Sequence, residues 1–68
     1  MHDAIFIKVE PSDINYINRI MEGYEYLGVV TTVNRKDGVL RIRVTPDTLA
    51  EVQLVLEKLP ISFAYVNS

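Results

Sequence analysis

The sequence predicts an α+β domain in which two helices cover one face of a four-stranded antiparallel sheet. Apolar and polar residues alternate in four short segments, which is typical of half-buried strands. Two further segments have the apolar spacing of amphipathic helices. Their order along the chain is strand, helix, strand, strand, helix, strand. These elements occupy nearly all of the 68 residues, so we expect a single domain over residues 1–68.

The first strand is predicted at residues 4–10 and the first helix at residues 13–22. One face of the strand carries three β-branched residues: Ile5, Ile7 and Val9. Pro11 ends the strand because proline has no amide hydrogen to donate to a neighbouring strand. Ser12 is interpreted as the N-cap of the helix. Gly23 is expected to end the helix in the left-handed conformation.

The second and third strands, at residues 27–34 and 39–44, are predicted to form a hairpin. The Asp37-Gly38 pair between them is a strong hairpin signal. In the third strand, three apolar residues alternate with the residues of the opposite face: Leu40, Ile42 and Val44. This alternation predicts one buried and one open face of the sheet.

The second helix is predicted to begin at Thr45, with Pro46 at its first position. Its apolar stripe has five members: Leu49, Val52, Val55, Leu56 and Leu59. Pro60 ends the helix, and residues 61–66 form the last strand. Because each strand-helix-strand unit crosses over right-handed, we expect the ferredoxin-like βαββαβ fold with sheet order 4-1-3-2.

Composition excludes several classes of protein. There is no cysteine, so disulfides and thiolate zinc sites are ruled out, and the single histidine, His2, lies at the terminus. The net charge of −2 argues against a dedicated nucleic-acid binder. No apolar run has a membrane-spanning length and no signal peptide is visible, so we expect no membrane association and a cytoplasmic location.

The open face of the sheet is the first candidate for function. Nine residues are predicted to lie on it: Phe6, Lys8, Val30, Thr32, Val39, Arg41, Arg43, Ala64 and Val66. Three interpretations stay open. The face is an ordinary mixed surface, a self-association surface, or a platform for single-stranded RNA, in which Phe6 would stack on a base. The third strand lacks the aromatic residue that RNA-binding sheets use there.

The tyrosines that follow the first helix are a second candidate feature. Tyr16, Tyr24 and Tyr26 are expected to seal the end of the core, or alternatively to form an interface. As for catalysis, there is no phosphate-binding loop and no nucleophile in an elbow motif, and the acidic residues fall mostly on helix surfaces. The sequence therefore predicts no enzyme and no cofactor.

Most of the chain resembles a short bacterial family that is known only as a domain of unknown function. The residues that carry the resemblance are Tyr16-Ile17-Asn18, Met21-Glu22-Gly23-Tyr24, the run from Gly28 to Val33, the Asp37-Gly38 hairpin and the Thr45-Pro46-Asp47 helix start. This resemblance implies no activity.

A looser similarity is to ACT domains, regulatory modules of the same topology that bind amino acids, commonly at dimer interfaces. It would place a small-molecule effector near Ser12 and Asp13. The sequence departs from the ACT pattern there, because Pro11 is followed by Ser12 and not by glycine. The leading hypothesis is a homo-oligomer that associates through the open face, at Phe6, Val30 and Val39 with Arg41 and Arg43, or through an edge strand.

Overall fold

The computed structural model describes residues 4–66, and the order of elements is the predicted one. The elements are β1 (Ala4–Val9), a 3₁₀ helix (Pro11–Asp13), α1 (Ile14–Glu22), β2 (Val29–Asn34), β3 (Val39–Arg43), α2 (Leu49–Glu57) and β4 (Phe63–Val66). All strand pairs are antiparallel and the sheet order is β2-β3-β1-β4, which confirms the ferredoxin-like prediction.

One face of the sheet and the inner sides of both helices form the core. Eleven apolar residues of the described chain are buried there: Ile7, Val9, Ile14, Ile17, Met21, Leu27, Leu40, Ile42, Val44, Val52 and Leu56. The apolar stripes of both helices therefore face the core as predicted. The same holds for the apolar residues that alternate along the first and third strands. The central strands β1 and β3 are held in register by five residue pairs, among them Ile7 with Leu40.

The start of α1 differs from the prediction. Ser12 lies inside the 3₁₀ helix and makes no capping hydrogen bond, and the N-cap position belongs to Asp13, also without a side-chain cap. The reason is that Pro11 begins a turn directly after β1, in which the Asp13 amide donates to the Glu10 carbonyl at 2.8 Å. The chain is already helical when it passes Ser12, so this side chain is not in the extended position that a cap requires.

The end of α1 also differs. Gly23 has φ −73° and is right-handed, because the chain continues into a second turn and does not reverse at the glycine. In that turn Leu27 and Gly28 donate their amides to the Tyr24 carbonyl at 2.8 and 3.3 Å. The second strand therefore begins at Val29, two residues later than predicted.

The second helix begins one turn later than predicted, at Leu49, with Thr48 as its N-cap. The Thr45 carbonyl accepts from the amides of Thr48 and Leu49, both at 3.0 Å, and the Thr45 amide donates to the Thr48 hydroxyl at 3.0 Å. The Thr45-Pro46 pair thus marks a turn that precedes the helix and is closed by hydrogen bonds between Thr45 and Thr48. The last strand is also shorter than predicted, because Ile61 and Ser62 stay outside β4.

Candidate functional site

The open face of the sheet, opposite the helices, consists of three rows of side chains that the strand registers set side by side. The rows are Val29-Arg43-Ala4, Thr31-Arg41-Phe6-Val66 and Asn34-Val39-Lys8-Ala64. These eleven residues are called the open face below. Phe6 lies on the central strand β1, with Arg41 beside it on one side and Val66 on the other.

The charge of the open face is opposite to that of the rest of the chain. It contains three cationic residues, Lys8, Arg41 and Arg43, and no carboxylate among its eleven members. Because the whole chain carries −2 and this face carries +3, the rest of the chain carries −5. The open face is therefore positive, although the chain as a whole is slightly negative.

Arg41 has an unusual environment at the centre of this face. Its Nε atom is buried and has no hydrogen-bond partner within the described residues. A buried donor without a partner costs free energy, typically about 1–3 kcal/mol. Because Nε itself is covered, the guanidinium would have to turn toward the open side before this atom could meet an acceptor from another molecule.

Most of the predicted interface residues are brought together, but Val30 is not. Phe6, Val39, Arg41 and Arg43 lie on the open face as predicted. Val30 pairs with Ile42 and packs against the core, and Thr32 pairs with Leu40, so both lie on the helix side.

Their places on the open face are taken by Val29 and Thr31, which pair with Arg43 and Arg41. The prediction for β2 was wrong by one residue, which turns every side chain of a strand to the other face.

The predicted effector residues Ser12 and Asp13 do not line a common cavity. The nearest hollow along the chain has a volume of about 490 Å³ and its charged lining residues are Lys8, Glu10, Lys36 and Asp37. Neither Ser12 nor Asp13 belongs to it. An ACT-like ligand at these residues stays a prediction.

The edge strand β2 is a candidate surface that the sequence indicated only in general terms. Its Val29 and Val33 side chains are 56% and 54% exposed, a high value for valine in a sheet. Residues 29–34 contain no charged side chain and no proline. Beside this edge, between α1 and β2, lies a hollow of about 260 Å³ lined by Asn18, Met21, Glu22, Glu25, Gly28, Val29, Val30 and Thr32.

The tyrosine region forms a groove between the two helices. The rings of Tyr24 and Tyr26 are 6.3 Å apart, and the groove has a volume of about 370 Å³. Its apolar lining includes Leu54, which is 55% exposed. Tyr16 does not line this groove, so two of the three tyrosines come together there.

Tyr65 is an ionisable group whose environment changes its titration. Its ring lies on the helix side of β4, at 5.2 Å from the ring of Phe63 in an edge-to-face arrangement. Partial burial raises the pKa of the Tyr65 hydroxyl, and the nearby carboxylate of Glu57 raises this pKa further.

Residues 4–66 contain neither a group of metal-ligating side chains nor a membrane-spanning helix. Within this range, no three His, Cys, Asp or Glu side chains are grouped closely enough to hold a metal ion. None of the helices there combines the length and apolarity that crossing a membrane needs. His2 lies outside the described residues.

Comparison with known proteins gives one match. Neither the curated proteins nor the solved structures include one that matches the chain. The family model described as "Domain of unknown function (DUF4911)" matches residues 7–62, which covers the elements from the second half of β1 to α2 and ends directly before β4. The chain therefore belongs to the DUF4911 family of domains of unknown function.

Proposed function

We propose that this domain is a non-enzymatic module that self-associates by pairing the edge strand β2 with β2 of a second copy. The single observation that carries the proposal is the exposed, uncharged edge at residues 29–34. Natural proteins usually protect a sheet edge with charged side chains, proline, a bulge or a very short strand. A bulge between Thr32 and Asn34 interrupts the pairing with β3, but residues 29–32 remain regular.

The edge is a better self-association surface than the open face. A twofold axis through the open face would bring Lys8, Arg41 and Arg43 of one copy close to the same residues of the other. Six positive charges and no carboxylate from the two faces would then be removed from water together, which is unfavourable. Pairing along β2 leaves both open faces exposed, and their charges stay solvated.

The pairing would join two four-stranded sheets into one continuous sheet of eight strands. An antiparallel register centred on Thr31 sets Val30 of one copy opposite Thr32 of the other, and Val29 opposite Val33, which lies at the bulge. Pairs of β-branched residues across strands contribute roughly 0.2–1 kcal/mol each. The hollow beside α1 would receive side chains of the second copy, which extends the contact from the sheet to the helix layer.

The other edge strand is a weaker candidate. β4 has four residues, compared with six in β2, so it offers fewer main-chain groups for pairing. This difference favours β2, and it can be tested directly by placing a lysine at an exposed position of each edge strand.

Light scattering coupled to size exclusion tests the proposal. The expected mass is twice 7.8 kDa for the natural sequence. Val33→Lys should give a monomer, because pairing would place the charged lysine of each copy against the uncharged β2 edge of the other copy. Val33→Thr, which keeps the β-branched shape, and Ala64→Lys, which adds the same charge at the other edge, should both remain dimers. A monomer at high protein concentration would contradict the proposal, and so would dissociation caused by Ala64→Lys alone.

The lack of enzymatic activity and the cytoplasmic location are parts of this proposal that rest on the sequence. The lack of enzymatic activity is supported by the missing nucleophile and phosphate-loop motifs.

A further inference from the structure

We propose that the open face binds single-stranded nucleic acid, with a base stacked on Phe6 and the phosphates held by Lys8, Arg41 and Arg43. This inference goes beyond self-association and does not depend on it, since the β2 edge and the three cations are different groups. A ligand that fits both Phe6 and the three cations carries flat apolar groups as well as several negative charges. Single-stranded nucleic acid with unstacked bases has this chemistry.

The charge distribution is the first step of the argument. An acidic chain does not attract nucleic acid as a whole, but the phosphate backbone responds to the local potential of the surface it approaches. All three charged side chains of the open face are positive, while the remainder of the chain carries the balancing −5. The eleven positions of the open face therefore present only attractive charges to a polyanion, although Glu10 and Asp37 lie near Lys8 at one end of the face.

The position of Phe6 is the second step. Its nearest neighbours on the face are Ala4 and Lys8 along β1, and Arg41 and Val66 across the sheet. Stacking a base on an aromatic ring does not require a particular base, because every base has a π-face. A phosphate next to the stacked base would then lie within reach of Arg41 on one side or Lys8 on the other.

Arg41 supplies the third step. Its buried Nε is an unpaired donor within the described residues. A phosphate oxygen is a strong acceptor, and the fork of donors of a guanidinium group matches it well. A turn of the Arg41 guanidinium toward a phosphate on the face would give Nε the partner that it lacks in its buried position.

An acidic peptide fits this face less well than a nucleic acid. Extended peptides bind sheets through main-chain hydrogen bonds at an exposed edge. β1 and β3 have a strand on each side, so the centre of the open face has no free strand edge. Recognition there must use side chains, and a central phenylalanine between cations suits a base and its phosphate.

Fluorescence anisotropy with labelled oligouridine and oligothymidylate of about eight nucleotides tests the proposal, the length being within the usual range of site sizes. Both oligonucleotides should bind to the 68-residue chain at low salt. With three phosphate contacts, the logarithm of the binding constant should fall against the logarithm of salt concentration with a slope of about −2. The comparison of the RNA and DNA strands shows whether the 2′-hydroxyl contributes.

Three variants and a matched control locate the site. Phe6→Leu keeps an apolar side chain but removes the stacking, and it should weaken binding by about 5- to 150-fold. Arg41→Gln and Arg43→Gln should each weaken binding and reduce the salt slope to about −1.4. Arg19→Gln removes the same charge from the exposed surface of α1, and affinity should stay within about twofold.

Several outcomes would overturn the proposal. One is the absence of salt-sensitive binding to either strand. Another is an equal loss for Arg19→Gln and Arg43→Gln, which would indicate a nonspecific charge effect. If a polyglutamate peptide binds as tightly as oligouridine and Phe6→Leu changes neither affinity, the face is a site for an acidic protein. Should Phe6→Leu fail to fold, the exposed Arg43 keeps the test decisive.

Discussion

Gly38 determines how the hairpin between β2 and β3 meets the end of β1. It has φ +75°, and its carbonyl accepts a hydrogen bond from the Val9 amide at 2.8 Å. A Cβ atom at this position would collide with the Val9 carbonyl oxygen. The Asn34 side-chain oxygen closes the same turn by accepting from the Asp37 amide at 3.0 Å. Glycine is therefore required by both backbone conformation and space.

Gly38→Ala should lower the free energy of unfolding by at least about 2 kcal/mol, because left-handed strain and the clash with Val9 add up. Gly23→Ala is the matched control. Gly23 has a right-handed conformation, and an added Cβ would meet only the Ile20 carbonyl oxygen, at 3.5 Å. This change should raise stability by about 0.4–1 kcal/mol. Urea unfolding followed by circular dichroism measures both, and equal effects of the two substitutions would contradict the conformational argument.

Tyr65 predicts a loss of stability at high pH. Partial burial and the Glu57 carboxylate raise its pKa in the folded state above the ordinary value of 10.0. The folded chain therefore holds the proton more tightly than the unfolded chain, and stability falls as pH rises from the unfolded pKa through the folded one. Tyr65→Phe should make the fall above pH 10 less steep, as measured by urea unfolding at pH 8 and at increasing pH. An unchanged pH dependence in this variant would disprove the assignment.

At the scale of elements, hydrophobic alternation was a reliable guide where the two faces of a strand differ. In β3, Leu40 and Ile42 are buried, and the alternating Arg41 and Arg43 lie on the open face, so one register alone satisfies the core. β2 has no such contrast, because Val30 and Thr32 on one face resemble Val29 and Thr31 on the other. The sequence pattern alone does not specify the register of such a strand.

The register of β2 is set by contacts that become visible only in three dimensions. Gly28, just before β2, approaches β3 so closely that a Cβ there would lie 2.8 Å from the Arg43 carbonyl oxygen. The bulge between Thr32 and Asn34 then absorbs one residue before the hairpin turn. Similarly, the Ser12 cap was wrong because Pro11 begins a turn earlier than helix spacing alone indicates. The candidate site was predicted for Phe6, Val39, Arg41 and Arg43, and missed for Val29 and Thr31.

The helix α2 allows a direct comparison of a buried and an exposed leucine. Leu56 is fully buried, whereas Leu54, two residues away, is 55% exposed beside the tyrosine groove. Leu56→Ala should cost about 2–5 kcal/mol, since it leaves a cavity in the core. Leu54→Ala should change stability by less than about 0.5 kcal/mol. Thermal unfolding of the two variants checks this, and a large loss for Leu54→Ala would indicate that the groove is covered by a partner.

At the scale of the whole molecule, the exposure of a charged sheet face is linked to the two-layer architecture. Residues 4–66 form two layers with a small core, and no helix of this range covers the open face of the sheet. The net charge of −2, which argued against nucleic acid, conceals a face of +3 because acidic residues lie elsewhere. The net charge is a sum over all residues of the chain. Recognition of a ligand depends instead on the face to which the strand register assigns each charged residue.

Self-association would also supply stability that so small a core lacks. If β2 pairs with β2, unfolding of the dimer releases two chains, and stability then increases with protein concentration. A hundredfold rise in concentration adds about 2.7 kcal/mol per dimer. For a domain of this size the share of one chain corresponds to a rise of about 5–10 °C in melting temperature. Val33→Lys should melt at one temperature at all concentrations, whereas Ala64→Lys should keep the dependence. Calorimetry over this range measures the effect, and a constant melting temperature for the natural sequence would leave the folded monomer as the stable unit.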